Sequence, residues 1–153
     1  MKRYENCVLA PLGSHTASDL TSRSSGDIEV FDAQGQISEV VEVKHDREID
    51  IRTVRVAYEK IIRFNPKRYY ILSCKDIKVS ESQEINNIIS QVREEHGCQI
   101  IINGVIPTIK YYLRLISLEI FMRDYSNLVS IDTELQPIHK LKWNELIEKL
   151  GVE

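Results

Sequence analysis

Apolar and polar residues alternate through Ile28-Glu29-Val30 and again through Val41-Glu42-Val43-Lys44. A period of two predicts strands, at about 27–31 and 37–45. Asp32-Ala33-Gln34-Gly35-Gln36 lies between them, polar with one glycine, and reads as a hairpin loop. From about residue 48 the period lengthens to that of a helix. Ile51, Val54, Ala57, Tyr58, Ile61 and Ile62 form one apolar arc at roughly 100° per residue, with Arg52, Arg55, Glu59, Lys60 and Arg63 opposite. Asp50 or Asp46 suits the cap of this helix, at about 50–64, and Asn65-Pro66 ends it. Tyr69 to Cys74 reads as a buried strand. A second helix follows, capped by Ser80 or Ser82, carrying Ile85, Ile88, Ile89 and Val92, and closed by Gly97. Cys98 to Ile102 is a further strand, 107–129 a long helix, and 139–150 a last one.

Upstream, Cys7 to Ala10 suits a short strand, and the hydroxyl-rich stretch from Ser14 to Ser25 reads as an extended loop. The order β-β-α-β-α-β-α-α implies an α/β fold, a central mixed β-sheet flanked by helices. A chain of 153 residues with 42 % apolar content suits one domain with a real core, spanning 1–153.

The net charge of −3 argues against nucleic acid as a partner, but the acidic excess is concentrated after residue 80. Cys7, Cys74 and Cys98 are odd in number and widely spaced, which suits neither a disulfide framework nor a zinc site. They read as reduced thiols of a cytoplasmic protein, Cys74 and Cys98 as core residues. The polar start does not suit a signal peptide, and no apolar run is long enough to cross a membrane.

The candidate chemistry lies on the hairpin. Glu42 and Lys44 share one strand face, and pairing the strands brings Asp27 close to Glu42. Two neighbouring carboxylates repel unless a positive group lies between them. A divalent cation answers this, since Mg²⁺ takes oxygen ligands from one or two carboxylates together with phosphate.

Asp27, fourteen residues, Glu42, one residue and Lys44, set in a hairpin followed by a helix and a buried strand, resembles the PD-(D/E)XK nuclease superfamily. The resemblance covers about residues 26–74. It implies a restriction-endonuclease-like core and a Mg²⁺-dependent DNA endonuclease, with Mn²⁺ as a substitute. Asp27 and Glu42 then become metal ligands, with the backbone carbonyl of Val43 as a further one, and Lys44 becomes the lysine of the motif. His15 and Ser18, in His15-x-x-Ser18-Asp19, are similar to the approach to the motif in some type II restriction enzymes, the SacI-like group among them. Gly26 stands where the motif's name has proline. The Gln-x-x-x-Tyr of RecB-like members is absent, since Val54 precedes Tyr58 by four. The glutamate that many members bring from an upstream helix is also missing, which opens the reading of the chain as the catalytic or C-terminal part of a longer protein.

Double-stranded DNA is the implied partner, and cutting both strands takes two sites, which points to a homodimer. A companion DNA methyltransferase would accompany a restriction enzyme. Arg52, Arg55 and Arg63 suit a phosphate-tracking face or an ordinary solvated one. Glu29 and Glu39 read as part of the hairpin's polar face rather than of the site. His45 should point away from Lys44, and Tyr111, Tyr112 and Trp143 suit core or interface positions. Three functions remain open: a restriction-like nuclease, a repair or junction-resolving nuclease, and a non-cleaving DNA-binding module with the same fold. The bland alternative for Asp27, Glu42 and Lys44 is the solvated face of an amphipathic hairpin.

Overall fold

The computed structural model describes residues 7–10 and 24–151. His15 and Ser18 lie outside the described residues. The fold is α/β, built on a mixed sheet of five strands in the order β1-β2-β3-β4-β5. These are β1 (Val8–Leu9), β2 (Ile28–Phe31), β3 (Ile37–Lys44), β4 (Arg68–Ser73) and β5 (Gln99–Gly104). β1, β2 and β3 pair antiparallel, whereas β3, β4 and β5 run parallel. Five α-helices lie among the described residues: α1 (Ile51–Phe64), α2 (Ser82–His96), α3 (Val105–Leu113), α4 (Leu118–Ile131) and α5 (Pro137–Leu150). None is long and apolar enough to cross a membrane. Contacts divide the chain into two compact units at Thr108/Ile109.

The hairpin between β2 and β3 forms where the sequence predicts it. Asp32 Oδ1 accepts from the backbone N–H groups of Gln34 and Gln36, both at 3.0 Å, and Gly35 takes the left-handed conformation the turn requires, with φ of 74°. Two parallel crossovers follow, β3-α1-β4 and β4-α2-β5. Both step across the sheet in the same direction, so right-handed connection places α1 and α2 on one face. Val40, Tyr69, Ile71 and Ile100 from that face meet Val54, Ala57 and Ile61 of α1 and Ile85 and Val92 of α2 in the core.

The ends of α1 follow the sequence signals. Asp50 is the N-cap and accepts from the Thr53 N–H at 2.8 Å. Asn65, at φ of 49°, closes the helix before Pro66. Ile62 departs from the predicted apolar arc, being exposed. At α2 the cap differs from either predicted serine. A 3₁₀ turn, Val79–Glu81, leads in; Ser82 Oγ donates back to the Val79 carbonyl, and Glu81 occupies the cap position. The Glu81 carboxylate instead accepts from the Ile51 N–H at 2.8 Å, stabilising the start of α1.

The long helix predicted over 107–129 is two helices. A turn in which the Arg114 and Leu115 N–H groups donate to the Tyr111 and Tyr112 carbonyls ends α3. Ser117 then caps α4, accepting from the Ile120 N–H. In the second unit, Trp143 Nε1 of α5 donates to Ser126 Oγ of α4 at 3.0 Å, and Tyr125 meets the Trp143 ring edge-on. Trp143 is therefore an interhelix aromatic, as its sequence setting suggested.

Candidate active site

The site lies where β2 begins, at the carboxyl end of β3. The loop from Ser24 to Asp27 is tied down by three groups. Glu29 Oε1 accepts from the Ser25 N–H and hydroxyl, each at 2.6 Å, and from the Ser24 hydroxyl at 3.1 Å. The Tyr69 hydroxyl of β4 also lies 3.0 Å from the Ser25 carbonyl, sharing its one proton between that carbonyl and the closer Glu42 Oε2 at 2.6 Å. Gly26 packs directly on β3, where an added Cβ would stand 2.5 Å from Val40 Cγ1 and 2.9 Å from the Val41 carbonyl oxygen. No side chain fits there without displacing the loop, and this is why a glycine precedes Asp27.

Asp27 is exposed and lies one residue before β2. Its Oδ2 accepts from the Val43 N–H at 2.7 Å. The last registered pair of the hairpin is Ile28 with Val41, so one further step sets Asp27 opposite Glu42. In an extended strand the N–H and C=O of one residue point to the same edge. Since the Val43 N–H meets Asp27, its carbonyl faces the Asp27 edge as well, while its side chain stands half-exposed on the far sheet face.

Glu42 is only 6 % exposed, on the sheet face that α1 covers. Its Oε1 accepts from Lys44 Nζ. Its Oε2 accepts from Lys60 Nζ at 2.8 Å and from the Tyr69 hydroxyl at 2.6 Å. Burial by itself would raise the Glu42 pKa, but the hydrogen bonds from Lys44, Lys60 and Tyr69 outweigh it and hold the carboxyl down at about 2. Glu42 is thus a buried, ionised carboxylate at neutral pH. Lys44 lies two residues along on the same face, opposite Ser73 of β4.

Lys60 is the residue that the sequence did not reveal. Its charge and helical position grouped it with Arg52, Arg55, Glu59 and Arg63 on a solvated face. Its side chain is 16 % exposed and its ammonium turns inward to Glu42. Tyr69 likewise read only as a strand aromatic; it is fully buried, with its hydroxyl on the site.

Three further expectations need correction. Glu39 is not on a solvated face: it is 5 % exposed and accepts from Arg68 at 2.7 Å, on the sheet face away from α1. Cys74 is exposed rather than buried, whereas Cys98 is buried and burial pushes its thiol up to about 11. Glu29, expected on the polar face, instead holds the Ser24-Ser25 loop.

Arg52, Arg55 and Arg63 are exposed along one side of α1. Arg55 donates to Glu84 of α2 at 2.9 Å, and the Arg63 guanidinium lies over the Phe64 ring. A cleft of about 600 Å³ opens beyond the carboxyl ends of β4 and β5, bordered by Ser73, Cys74, Lys75, Asn103 and Gly104. Ser73, opposite Lys44 in the ladder, joins the cleft to the site.

Among the described residues, no group of three or more His, Cys, Asp or Glu side chains is placed to hold a metal ion. The donors this site offers are two carboxylates and a carbonyl. An ionised carboxylate has about four lone-pair sites, two on each oxygen. Among the described residues, Asp27 Oδ1 accepts no hydrogen bond and Glu42 Oε1 accepts one. Both keep capacity for a hard cation, and hard oxygen donors are the chemistry Mg²⁺ takes. The donor set therefore fits the cation in kind. No family model matches the sequence, and no curated protein matches it.

Proposed function

We propose that the chain is a Mg²⁺-dependent DNA endonuclease with a restriction-endonuclease-like core. The observation that carries this is Glu42: a buried carboxylate kept ionised by two lysines, beside an exposed aspartate pinned to the same strand. An ordinary solvated hairpin has no reason to bury a carboxylate against α1 and surround it with ammonium groups, since burying charge is costly. The succession of hairpin, helix and parallel strand from β2 to β4 supports the same reading.

In this proposal Asp27, Glu42 and the Val43 carbonyl hold the cation. When bound, the metal supplies an activated water and relieves charge on the phosphoryl oxygens. The remaining work belongs to the side chains. Lys44 donates toward the reacting phosphate and stabilises the negative charge that develops there. Glu42 fixes Lys44 in place, and Tyr69 and Lys60 fix Glu42. The two lysines formally balance Asp27 and Glu42, so a bound cation leaves the site net positive, as an approaching phosphodiester requires. Arg52 and Arg63 offer phosphate contacts along α1, and the cleft beside Ser73 offers room for a nucleotide next to the scissile bond. Duplex DNA is the proposed substrate, a homodimer the proposed cutting form, and a companion methyltransferase the partner expected of a restriction enzyme. Repair or junction resolution would use the same chemistry on another DNA shape.

The second reading is a DNA-binding module that does not cut. It is favoured by the three hydrogen bonds already on Glu42, which leave one acceptor position. Incubating supercoiled plasmid with the protein in Mg²⁺ or in EDTA separates the two. Nicking in Mg²⁺ that EDTA stops is the expected result. DNA binding without nicking at high enzyme concentration would favour the module.

A further inference from the structure

We infer that Lys60 is a positioning residue of the site, holding Glu42 so that Oε1 is the oxygen left open to a cation; this rests on the metal site proposed above. Glu42 Oε2 accepts from both Lys60 and Tyr69, at 2.8 and 2.6 Å, which fills its lone-pair sites. Oε1 accepts from Lys44 alone. The carboxylate cannot turn about its last torsion without breaking both Oε2 contacts at once. A flexible glutamate thereby becomes a ligand with one fixed, available lone pair, the kind of preorganisation that metal sites obtain from the groups behind their ligands.

The placement of Lys60 matches this role better than that of a surface lysine. It flanks the buried face of α1, between Ala57 and Ile61, which are 3 % and 0 % exposed. Lysines at such borders ordinarily extend their ammonium to water. Here the ammonium runs inward to a buried carboxylate, across the β3–α1 connection. The β3 motif contributes Lys44, and α1 contributes a second lysine to the other oxygen of the same carboxylate. Lys60 touches neither metal nor substrate in this scheme; it acts through Glu42.

The test compares the whole wild-type chain with Lys60→Met, Lys60→Arg and Tyr69→Phe. Mn²⁺ affinity is measured by calorimetry without DNA, well below the unfolding temperature, and plasmid cleavage is followed separately. Lys60→Met is expected to weaken Mn²⁺ binding by about tenfold or more, as for loss of a group that orients a metal ligand. It should lower kcat while leaving KM for DNA unchanged. Lys60→Arg should restore most of the Mn²⁺ affinity. A merely structural lysine would lower the unfolding temperature without shifting Mn²⁺ affinity. Folded Lys60→Met with wild-type affinity therefore overturns the inference. Should that variant not fold, Tyr69→Phe vacates the other Oε2 contact and carries the same comparison. Independently of metal, the ¹⁵Nζ signal of Lys60 should be protected from exchange in the wild type and lost in Glu42→Gln. A Lys60 signal indifferent to Glu42→Gln overturns the clamp alone. Wild type that binds no Mn²⁺ while keeping that signal overturns the metal site itself.

Discussion

Glu42→Gln keeps the shape of a buried side chain and removes the negative charge between two ammonium groups. The structure sets the size of the effect. The Glu42 carboxyl falls from an ordinary 4.5 to about 2 once its hydrogen bonds from Lys44, Lys60 and Tyr69 have overcome the cost of burial. At about 1.4 kcal/mol per pH unit, this corresponds to about 3–4 kcal/mol of stability at pH 7. Because the folded-state value is depressed, the contribution is fully present above about pH 4.5. It is lost as the pH falls through about 2. The same size follows from the two lysines, whose side chains are 14 % and 16 % exposed and would be left unpaired. Removing one partner from a buried pair costs about 3–5 kcal/mol. Urea denaturation of wild type and Glu42→Gln at pH 7 and pH 3 reads the effect directly. The other acids are common to both proteins and cancel in the difference. The gap should be about 3–4 kcal/mol at pH 7 and roughly half of that or less at pH 3. A Glu42→Gln protein as stable as wild type at pH 7, or a gap unchanged by pH, would refute the buried ion cluster.

Lys44→Ala should leave the metal ligands in place and slow plasmid cleavage by about 10²–10³-fold, the usual cost of one electrostatic stabiliser; cleavage at the wild-type rate would remove Lys44 from the chemistry. Gly26→Ala places a Cβ against Val40 Cγ1 and the Val41 carbonyl, so urea denaturation should show a loss of about 1–3 kcal/mol, and unchanged stability would contradict the packing of the Asp27 loop. Arg52→Ala and Arg63→Ala should each weaken DNA binding similarly for all sequences and make the salt dependence shallower by about one phosphate equivalent. Arg55→Ala should do less, because Glu84 already holds that guanidinium; a fluorescence titration across salt concentrations in which none of the three changes the slope would leave them as surface charges.

The residues that declared themselves in sequence did so through local chemistry. The alternation from Val40 to Lys44, the Asp32–Gln36 turn, the Asp50 cap and the Asn65-Pro66 stop each depend on neighbours within a few positions, and each element stands close to its expected bounds. The division of 107–129 into α3 and α4 was missed because apolar residues continue through Leu115 and Ile116, although Ser117 before Leu118-Glu119 carries a cap signal. Long-range pairing was not legible. Helical periodicity grouped Lys60 with the solvated residues opposite the apolar arc, because the inward turn of its ammonium depends on Glu42, eighteen positions earlier on another element. Arg68 and Glu39 likewise meet only because β3 and β4 run parallel in that register. Alternation also distinguishes two strand faces without saying whether either is wet. Glu39 reads as solvated and is buried, while Cys74, expected in the core, lies just past the end of β4 on the rim of the cleft.

Calorimetric titration of Mg²⁺ and Mn²⁺ into wild type and Asp27→Asn tests the central proposal most directly. Asp27 is exposed, and its contact to the Val43 N–H survives in asparagine through the remaining carbonyl oxygen, so the fold should hold while one anionic ligand is lost. The expected result is saturable binding of either cation to the wild type, clearly weakened in Asp27→Asn. Wild type that binds neither cation, with Asp27 and Glu42 intact, would contradict the metal-dependent nuclease and leave the carboxylates as parts of a charged hairpin.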